Sequence, residues 1–335
     1  MQAALRAAPD PEAEPALAAE LQYVRAMLPM AAGRFADVEA PMVEAERQAR
    51  LAGVTSLAQL ARICRALAAF YVGDFDGSLA IATAVPRDEI VAAGVEMQWH
   101  ATRAYVLSRL GRHTEAQEAA ATEAAAAARL DQPIREAHAA QDVGAVALAA
   151  GDGAAARAQL AIALELGGGS IRRPLARLQL AEACLLDGDL DGAAAELGRV
   201  PFEPVRPVDL PSTLVPRMSR LQGLIAAARG DDGLALRRLG EAEAAWRHRL
   251  RDDDVGDRAL GAAIADLGRI PVGGLVEPAL ELGRVLAERA GVLAAAGRTE
   301  EAAGAAREAL QLADAVRFDG YRAAAATLAH AGTVS

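Results

Sequence analysis

The sequence predicts an all-α chain, a superhelical solenoid of antiparallel helix pairs with about seven repeats of about 39 residues and a C-terminal cap helix. Three observations predict it. The 335 residues are 53% hydrophobic but only 3% aromatic, and the apolar majority is Ala and Leu, both strong helix formers. Val, Ile, Thr, Tyr and Phe never gather into the alternating runs that mark strands. Finally, one glycine recurs between small-apolar runs: Gly33, Gly73, Gly111, Gly151, Gly188, Gly230, Gly297 and Gly332, at spacings of 40, 38, 40, 37, 42, 67 and 35.

The columns around that glycine give the helix pair. Seven residues before it stand Ala26, Ala66, Ala104, Gly144, Ala181, Gly223 and Ala290. Five residues after it stand Val38, Ser78, Ala116, Ala156, Ala193, Ala235 and Ala302. Two antiparallel helices approach closely only where both backbones carry small side chains, so the columns predict an αα-hairpin closed at the glycine. The glycine supplies the left-handed conformation that ends the first helix. Thr114 with Gln117 has capping-box spacing for the second helix, and Thr299 and Asp152 are further candidate caps.

A small residue, a turn glycine seven later and a small residue five after that resembles the tetratricopeptide signature. The large residue usual four before the first small position is partly kept, and the closing proline is mostly missing. The period also exceeds the usual ~34 residues. Longer Ala/Leu/Arg-rich repeats are similar to the helical sensor region of bacterial signal-transduction ATPases, the maltose-regulator and LuxR-like activators. The resemblance runs from Leu17 to Ala331. It implies a right-handed superhelix with a concave inner surface. It carries no ATPase and no helix-turn-helix reader into this chain.

Two interruptions punctuate the array, which otherwise reads as a single unit over 1–335. Residues 1–199 hold repeats one to five. Residues 200–216 contain Pro201, Pro204, Pro207, Pro211 and Pro216 and read as an extended connection, because proline removes a helix donor and clashes with the preceding turn. Residues 217–335 hold repeats six and seven. Helix B of repeat six should end near Arg251, an inserted segment lies near 251–276, and a cap helix spans Tyr321–Ala331.

The composition closes off several chemistries. Lysine and asparagine are absent, which removes a phosphate loop ending in Gly-Lys and any Schiff-base or side-chain lysine base. All-arginine usage fits a GC-rich bacterial genome. A net charge of -10 without a basic tail argues against direct nucleic-acid binding. Cys64 and Cys184 read as small core residues in a reducing compartment. The N-terminus lacks the apolar stretch of a signal peptide, and no apolar run is long enough to span a bilayer, so the expectation is a cytoplasmic protein without membrane partners. The five histidines (His100, His113, His138, His248, His330) never fall within five residues of one another, so no metal site is expected. No Gly-x-Ser-x-Gly occurs, and acid pairs such as Asp252–Asp254 and Glu300–Glu301 read as solvated faces. The run Gly167–Ser170 before Ile171-Arg172-Arg173 enters a helix, where phosphate is attracted. No strand precedes it, and a turn between repeats four and five is the simpler reading.

What remains is a column of arginine. Eight residues before the turn glycine stand Arg25, Arg65, Arg103 and Arg289; eleven before stand Arg62, His100 and Arg177. Positions three apart share a helix face, so the first helices of repeats one to three carry a basic stripe. Either an anionic ligand balances it, or neighbouring acids such as Glu20 or Glu96 do. Seven of eleven aromatics precede residue 106. Phe35 and Phe75 stand where a packing aromatic is usual, leaving Tyr23, Phe70, Trp99 and Tyr105 as candidate anchors. The candidate site is therefore Tyr23, Arg25, Arg62, Arg65, Phe70, Trp99, His100, Arg103 and Tyr105. The expected function is a non-enzymatic scaffold, without cofactor, holding a peptide or protein partner in its concave groove. The alternative is the sensor portion of a transcriptional or signalling regulator that binds a small anionic metabolite.

Overall fold

The computed structural model describes residues 14–31, 35–84, 92–167, 172–200, 211–252, 276–316 and 322–331. Among them every regular element is helical. The α-helices are α1 (Pro15–Ala31), α2 (Glu39–Leu51), α3 (Thr55–Tyr71), α4 (Phe75–Thr83), α5 (Ala93–Arg109), α6 (His113–Ala128), α7 (Pro133–Ala149), α8 (Gly153–Leu166), α9 (Arg173–Leu186), α10 (Leu190–Gly198), α11 (Pro211–Ala228), α12 (Asp232–Asp252), α13 (Val276–Ala295), α14 (Thr299–Val316) and α15 (Arg322–Ala331). They form seven hairpins of an odd-numbered A helix and an even-numbered B helix, with α15 capping the last pair.

Each A helix packs on its own B helix, each B helix on the next A helix, and each A helix on the next A helix. No close B-on-B packing accompanies this among the described residues. The A helices therefore stand nearer one another than the B helices do. The coil bends toward them, and their shared face is the concave one. This is a solenoid of antiparallel helix pairs, stabilised mainly by nearest-neighbour stacking.

The two small columns make the hairpins. Every residue in them is buried, from Ala26 and Val38 in the first repeat to Ala290 and Ala302 in the last. In repeat two the columns touch directly, with Ser78 Oγ donating to the Ala66 carbonyl at 2.6 Å. The turn glycines described, from Gly73 (φ 85°) to Gly297 (φ 74°), are left-handed; Gly33 and Gly332 lie outside the described residues. Gly53, between α2 and α3, is a further left-handed turn that the periodic search passes over.

Two different devices start the B helices. Where Asp follows the glycine, its carboxylate accepts a backbone N–H three residues on: Asp74 from Gly77, Asp152 from Ala155, Asp189 from Gly192 and Asp231 from Leu234. Where Arg follows, it forks onto a glutamate three residues on: Arg112 to Glu115 and Arg298 to Glu301, each at 2.6–2.7 Å. Asp152 is thus a cap as expected. The Thr114–Gln117 capping box is corrected: α6 already starts at His113, its N-cap is Arg112, and no side chain caps it.

The proline-rich connection is also shorter than expected. α11 begins at Pro211 and runs through Pro216. Proline at the start of a helix loses only a donor that had no partner, and Pro216 forfeits one bond near the start of the helix. The inserted segment proposed near 251–276 falls almost wholly outside the described residues, as do residues 201–210.

One contact joins distant repeats. Phe70, Phe75 and Val106, from repeats two and three, belong to the same buried cluster as Trp246, Leu280 and Leu286 from repeats six and seven. Tyr71, Tyr105 and Leu110 pack against that cluster. The superhelix therefore returns on itself, with the ends of α3 and α5 sharing one buried cluster with α11, α12 and α13.

Candidate functional site

The A helices present three faces, and each accounts for a different set of side chains. The column twelve residues before the turn glycine faces the neighbouring repeat: Ala61, Trp99, Ala139, Ala176, Met218 and Val285 are all buried. Trp99 belongs to this column, and it packs on Ile63 and Val95 with Leu60 and Leu67 beside it. His100 is buried as well, at 1% exposure. Phe70 is enclosed at 1% exposure in the cluster that closes the coil. These three are therefore packing residues in this structure, because inter-repeat stacking claims their helix faces.

The arginine stripe lies on the face turned to the B helices. Arg62 donates to Glu46 at 2.9 and 2.5 Å. Arg65 donates to Glu46 at 2.7 Å and to Glu39 at 3.0 and 2.9 Å. Both acids come from α2, the preceding B helix, rather than from Glu20 or Glu96. Burial works to raise the Glu46 carboxyl, but the hydrogen bonds from Arg62 and Arg65 outweigh it and leave it below the usual carboxylate range. The same column pairs elsewhere: Arg177 with Glu196 at 2.7 Å and Arg289 with Glu243 at 2.6 Å. Glu96, the other acid considered, pairs with Arg129.

Arg103 stands apart from that pairing. It is half-buried and lines an open cleft of about 400 Å³ between α4, α5 and the start of α6, with Asp76, Thr83, Leu107, Arg112 and Glu115 among its neighbours. Arg25 and Tyr23 are half-buried on α1. The Tyr23 hydroxyl lies 3.7 Å from Cys64 Sγ, and burial followed by the neighbouring thiol raises its pKa. Tyr105 ends an aromatic ladder at the mouth of the coil. Phe35 stacks on Tyr71 at 4.2 Å, Tyr71 meets Phe70 edge-on at 5.4 Å, and Phe70 meets Tyr105 at 4.7 Å. The Arg109 guanidinium covers the Tyr105 ring at 5.3 Å.

The concave face itself carries a polar network that the sequence columns did not single out. Arg220, only 3% exposed, bonds Glu182 of α9 at 2.9 Å and Glu288 of α13 at 2.9 Å. Arg284 also reaches Glu182, and Arg217 reaches Glu281 at 3.2 Å. Burial would raise Glu281, but Arg217, Arg284, Arg220 and, across the coil, Arg109 pull it down. Farther along, Gln141 donates to Gln179 at 2.9 Å. These partners are 38 to 102 residues apart. The signal that finds the ion pairs is opposite charge one or two repeats apart on the same face, rather than like charge in one column.

Among the described residues, one buried carboxyl is driven toward its protonated form. Glu123 of α6 is 1% exposed. Burial, with the adjoining Asp142 carboxylate second, pushes it up to about 10. It donates its proton to Asp142, which also accepts from Arg172 at 3.2 Å. Of the glycine-rich run before that arginine, only Gly167 is described, where it ends α8.

Among the described residues, no group of three His, Cys, Asp or Glu side chains is placed to hold a metal ion. Both cysteines are buried free thiols. No described helix is long and apolar enough to cross a membrane.

No protein-family model matches the sequence, and no curated protein matches it. Solved structures do resemble it in fold. A Rap protein complexed with Competence and Sporulation Factor superimposes with a TM-score of 0.61 at 13% identity, over 90% of this chain and 76% of that one. The apo form of RapI gives 0.62 at 11% identity, over 88% and 97%. A tetratricopeptide repeat protein from Parabacteroides merdae ATCC 43184 gives 0.55 at 14% identity, over 94% and 98%. At such identities the likeness is one of architecture.

Proposed function

We propose that this chain is a non-enzymatic binding module that takes a peptide or protein segment along its concave face, in repeats one to four. The observation that carries the reading is the packing order. Because A helices meet A helices from repeat to repeat while B helices do not meet one another among the described residues, the A helices share a concave surface, the shape that suits an extended or helical ligand. A similar solenoid, the Rap protein, has been solved with a factor bound, which supports the reading at the level of architecture. Of the candidate residues, Tyr23, Arg25, Arg103 and Tyr105 retain solvent-reaching surface and are the proposed contacts, with Arg25 and Arg103 reaching in from the edge where the A helices turn to the B helices. Arg62, Arg65, Phe70, Trp99 and His100 hold the wall behind them.

The test is fluorescence anisotropy with a labelled pool of Glu-rich twelve-residue peptides. Arg103→Ala should weaken binding about tenfold, the loss of roughly 1.4 kcal/mol. Arg238→Ala, on a B helix, should leave it unchanged. Equal affinity of the two variants removes Arg103 from the site, and no binding by the wild type removes the acidic-segment reading altogether.

A second reading rests on the cleft beside Arg103. An open hollow of about 400 Å³ with Arg103 in its wall, beside Asp76 and the Arg112–Glu115 pair, offers one cation to a small anionic metabolite, as in the sensor portion of a bacterial regulator. Thermal shift with succinate and inorganic phosphate checks it: a rise in Tm that Arg103→Ala abolishes supports it, and unchanged Tm with both anions ends it.

A further inference from the structure

The first repeat exposes apolar residues that every later repeat hides. Five residues before the turn glycine, Ala68, Val106, Val146, Ala183, Ile225 and Val292 are all buried, at 8% exposure or less. The first-repeat counterpart, Leu28, is 44% exposed. Twelve residues before the glycine the six later residues are again buried, while Leu21 is only partly covered. In each later repeat these positions face the preceding hairpin. In the first repeat the same socket stands open, and α1 fills it with large side chains: Leu17 at 51%, Val24 at 44%, Met27 at 36% and Leu28 at 44% exposure. The buried side of α1 is made of small residues, Ala18, Ala19 and Ala26. A repeat face that meets only water is normally polar, so the exposed apolar face of α1 is built to be covered. Six of the eleven exposed large hydrophobics among the described residues lie in this first repeat, with Val43 and Leu51 added from α2.

We propose that α1 is a homodimer interface, in which two copies of the chain pair their first helices antiparallel about a two-fold axis. The argument for a second copy is the spacing of the stripe. Leu17, Leu21, Val24 and Leu28 are separated by four, three and four residues, a pattern that reads the same in both directions. A two-fold axis through its middle sets Leu17 against the partner's Leu28 and Leu21 against the partner's Val24, the self-complementarity that an isologous contact requires. No charge interrupts the stripe. Although the whole chain carries -10, α1 holds only Glu20 and Arg25, so approaching copies meet no column of like charge. Residues 1–13 carry two large apolar side chains, Met1 and Leu5, against the four rungs of the stripe. A seam of four to six apolar residues a side lies at the low end of specific interfaces, so the dimer is a reversible one.

Sedimentation velocity of the full chain over loading concentrations from about 1 to 100 µM tests this. The expected result is a rise from the 34.6 kDa species toward twice that mass. Leu17→Glu and Leu28→Glu should each hold the protein at the monomer mass at the highest concentration. Both residues are exposed, so the helical circular dichroism and Tm should match the wild type and separate lost pairing from lost folding. A wild type that stays monomeric throughout overturns the proposal and points to cover supplied from elsewhere. A dimer that survives both substitutions overturns it too, by placing the interface on another face.

Discussion

A buried carboxyl such as Glu123 is expected to lose its proton at neutral pH only at a cost, and that cost sets a pH dependence. Its ordinary value of 4.5 rises to about 10 in the folded chain. The folded state therefore holds the proton where the unfolded state has released it, and stability falls as pH rises between those two values. Glu123→Gln keeps a donor for Asp142 and has no proton to lose. The variant should match the wild type near pH 4 and exceed it at pH 8 by roughly 1–3 kcal/mol, a gain in Tm of several degrees by thermal denaturation. Equal Tm values at both pH values would show that Glu123 is charged in the folded protein. At this scale the sequence was only partly legible. It shows that Arg62 and Arg65 share a helix face, but their partners, Glu39 and Glu46, are 16 to 26 residues away on another helix. Trp99 is conspicuous in composition, yet its column, read across all seven repeats, is the one given to stacking. Comparing that column with its neighbours would have identified it as core.

At the scale of the element, the hairpins were legible because tight helix contact leaves a one-residue signature in every repeat. The exceptions to the alanine column show how specific it is. Gly144 and Gly223 replace alanine where a leucine nine residues after the turn glycine, Leu160 or Leu239, presses into the same space. A Cβ on Gly144 would stand 2.8 Å from Leu160 Cγ, and one on Gly223 would stand 2.8 Å from Leu239 Cγ. In repeats two, three and seven the paired positions are Ala66 with Ala82, Ala104 with Ala120, and Ala290 with Ala306, while repeats one and five hold Ala26 with Met42 and Ala181 with Leu197. Alanine is better than glycine in a helix by about 1 kcal/mol, but overpacking costs about 1–3 kcal/mol, so the clash should win. Gly144→Ala is expected to destabilise. Leu160→Ala alone should cost about 2–5 kcal/mol by leaving a cavity. Together they recreate the Ala–Ala pairing of repeats two, three and seven, so urea denaturation of the double variant should show a loss smaller than the sum by at least ~1 kcal/mol. Strict additivity would mean that the two positions do not share one contact. Asp152 was legible as a B-helix start, whereas Asp74, Asp189, Asp231 and the two Arg–Glu forks escape a search for Ser and Thr boxes because they follow the glycine directly.

For the whole molecule, what no periodic reading reaches is the return of the coil on itself. Repeats repeat only their nearest-neighbour contacts, so a sequence column carries no record of α5 sharing a buried cluster with α13. The aromatic enrichment before residue 106 was visible, and its role emerges only from the closed shape: the ladder from Phe35 to Tyr105 ends against the cluster around Leu280. Stacking energies add along a solenoid, and bending one costs little at any single joint. A contact between repeats that are not neighbours is different, because it alone fixes how tightly the coil is wound. Tyr105 and Arg109 sit at that contact, with Arg109 over the ring and its charge felt by Glu281. Tyr105→Ala should therefore leave the helical circular dichroism unchanged while increasing the radius of gyration in small-angle scattering. Arg109→Ala should act in the same direction, and more weakly at high salt, where its attraction to Glu281 is already screened in the wild type. If the radius of gyration is identical in all three proteins, neighbour stacking alone sets the winding of the coil. The width of the concave face would then be fixed by the small columns of the hairpins.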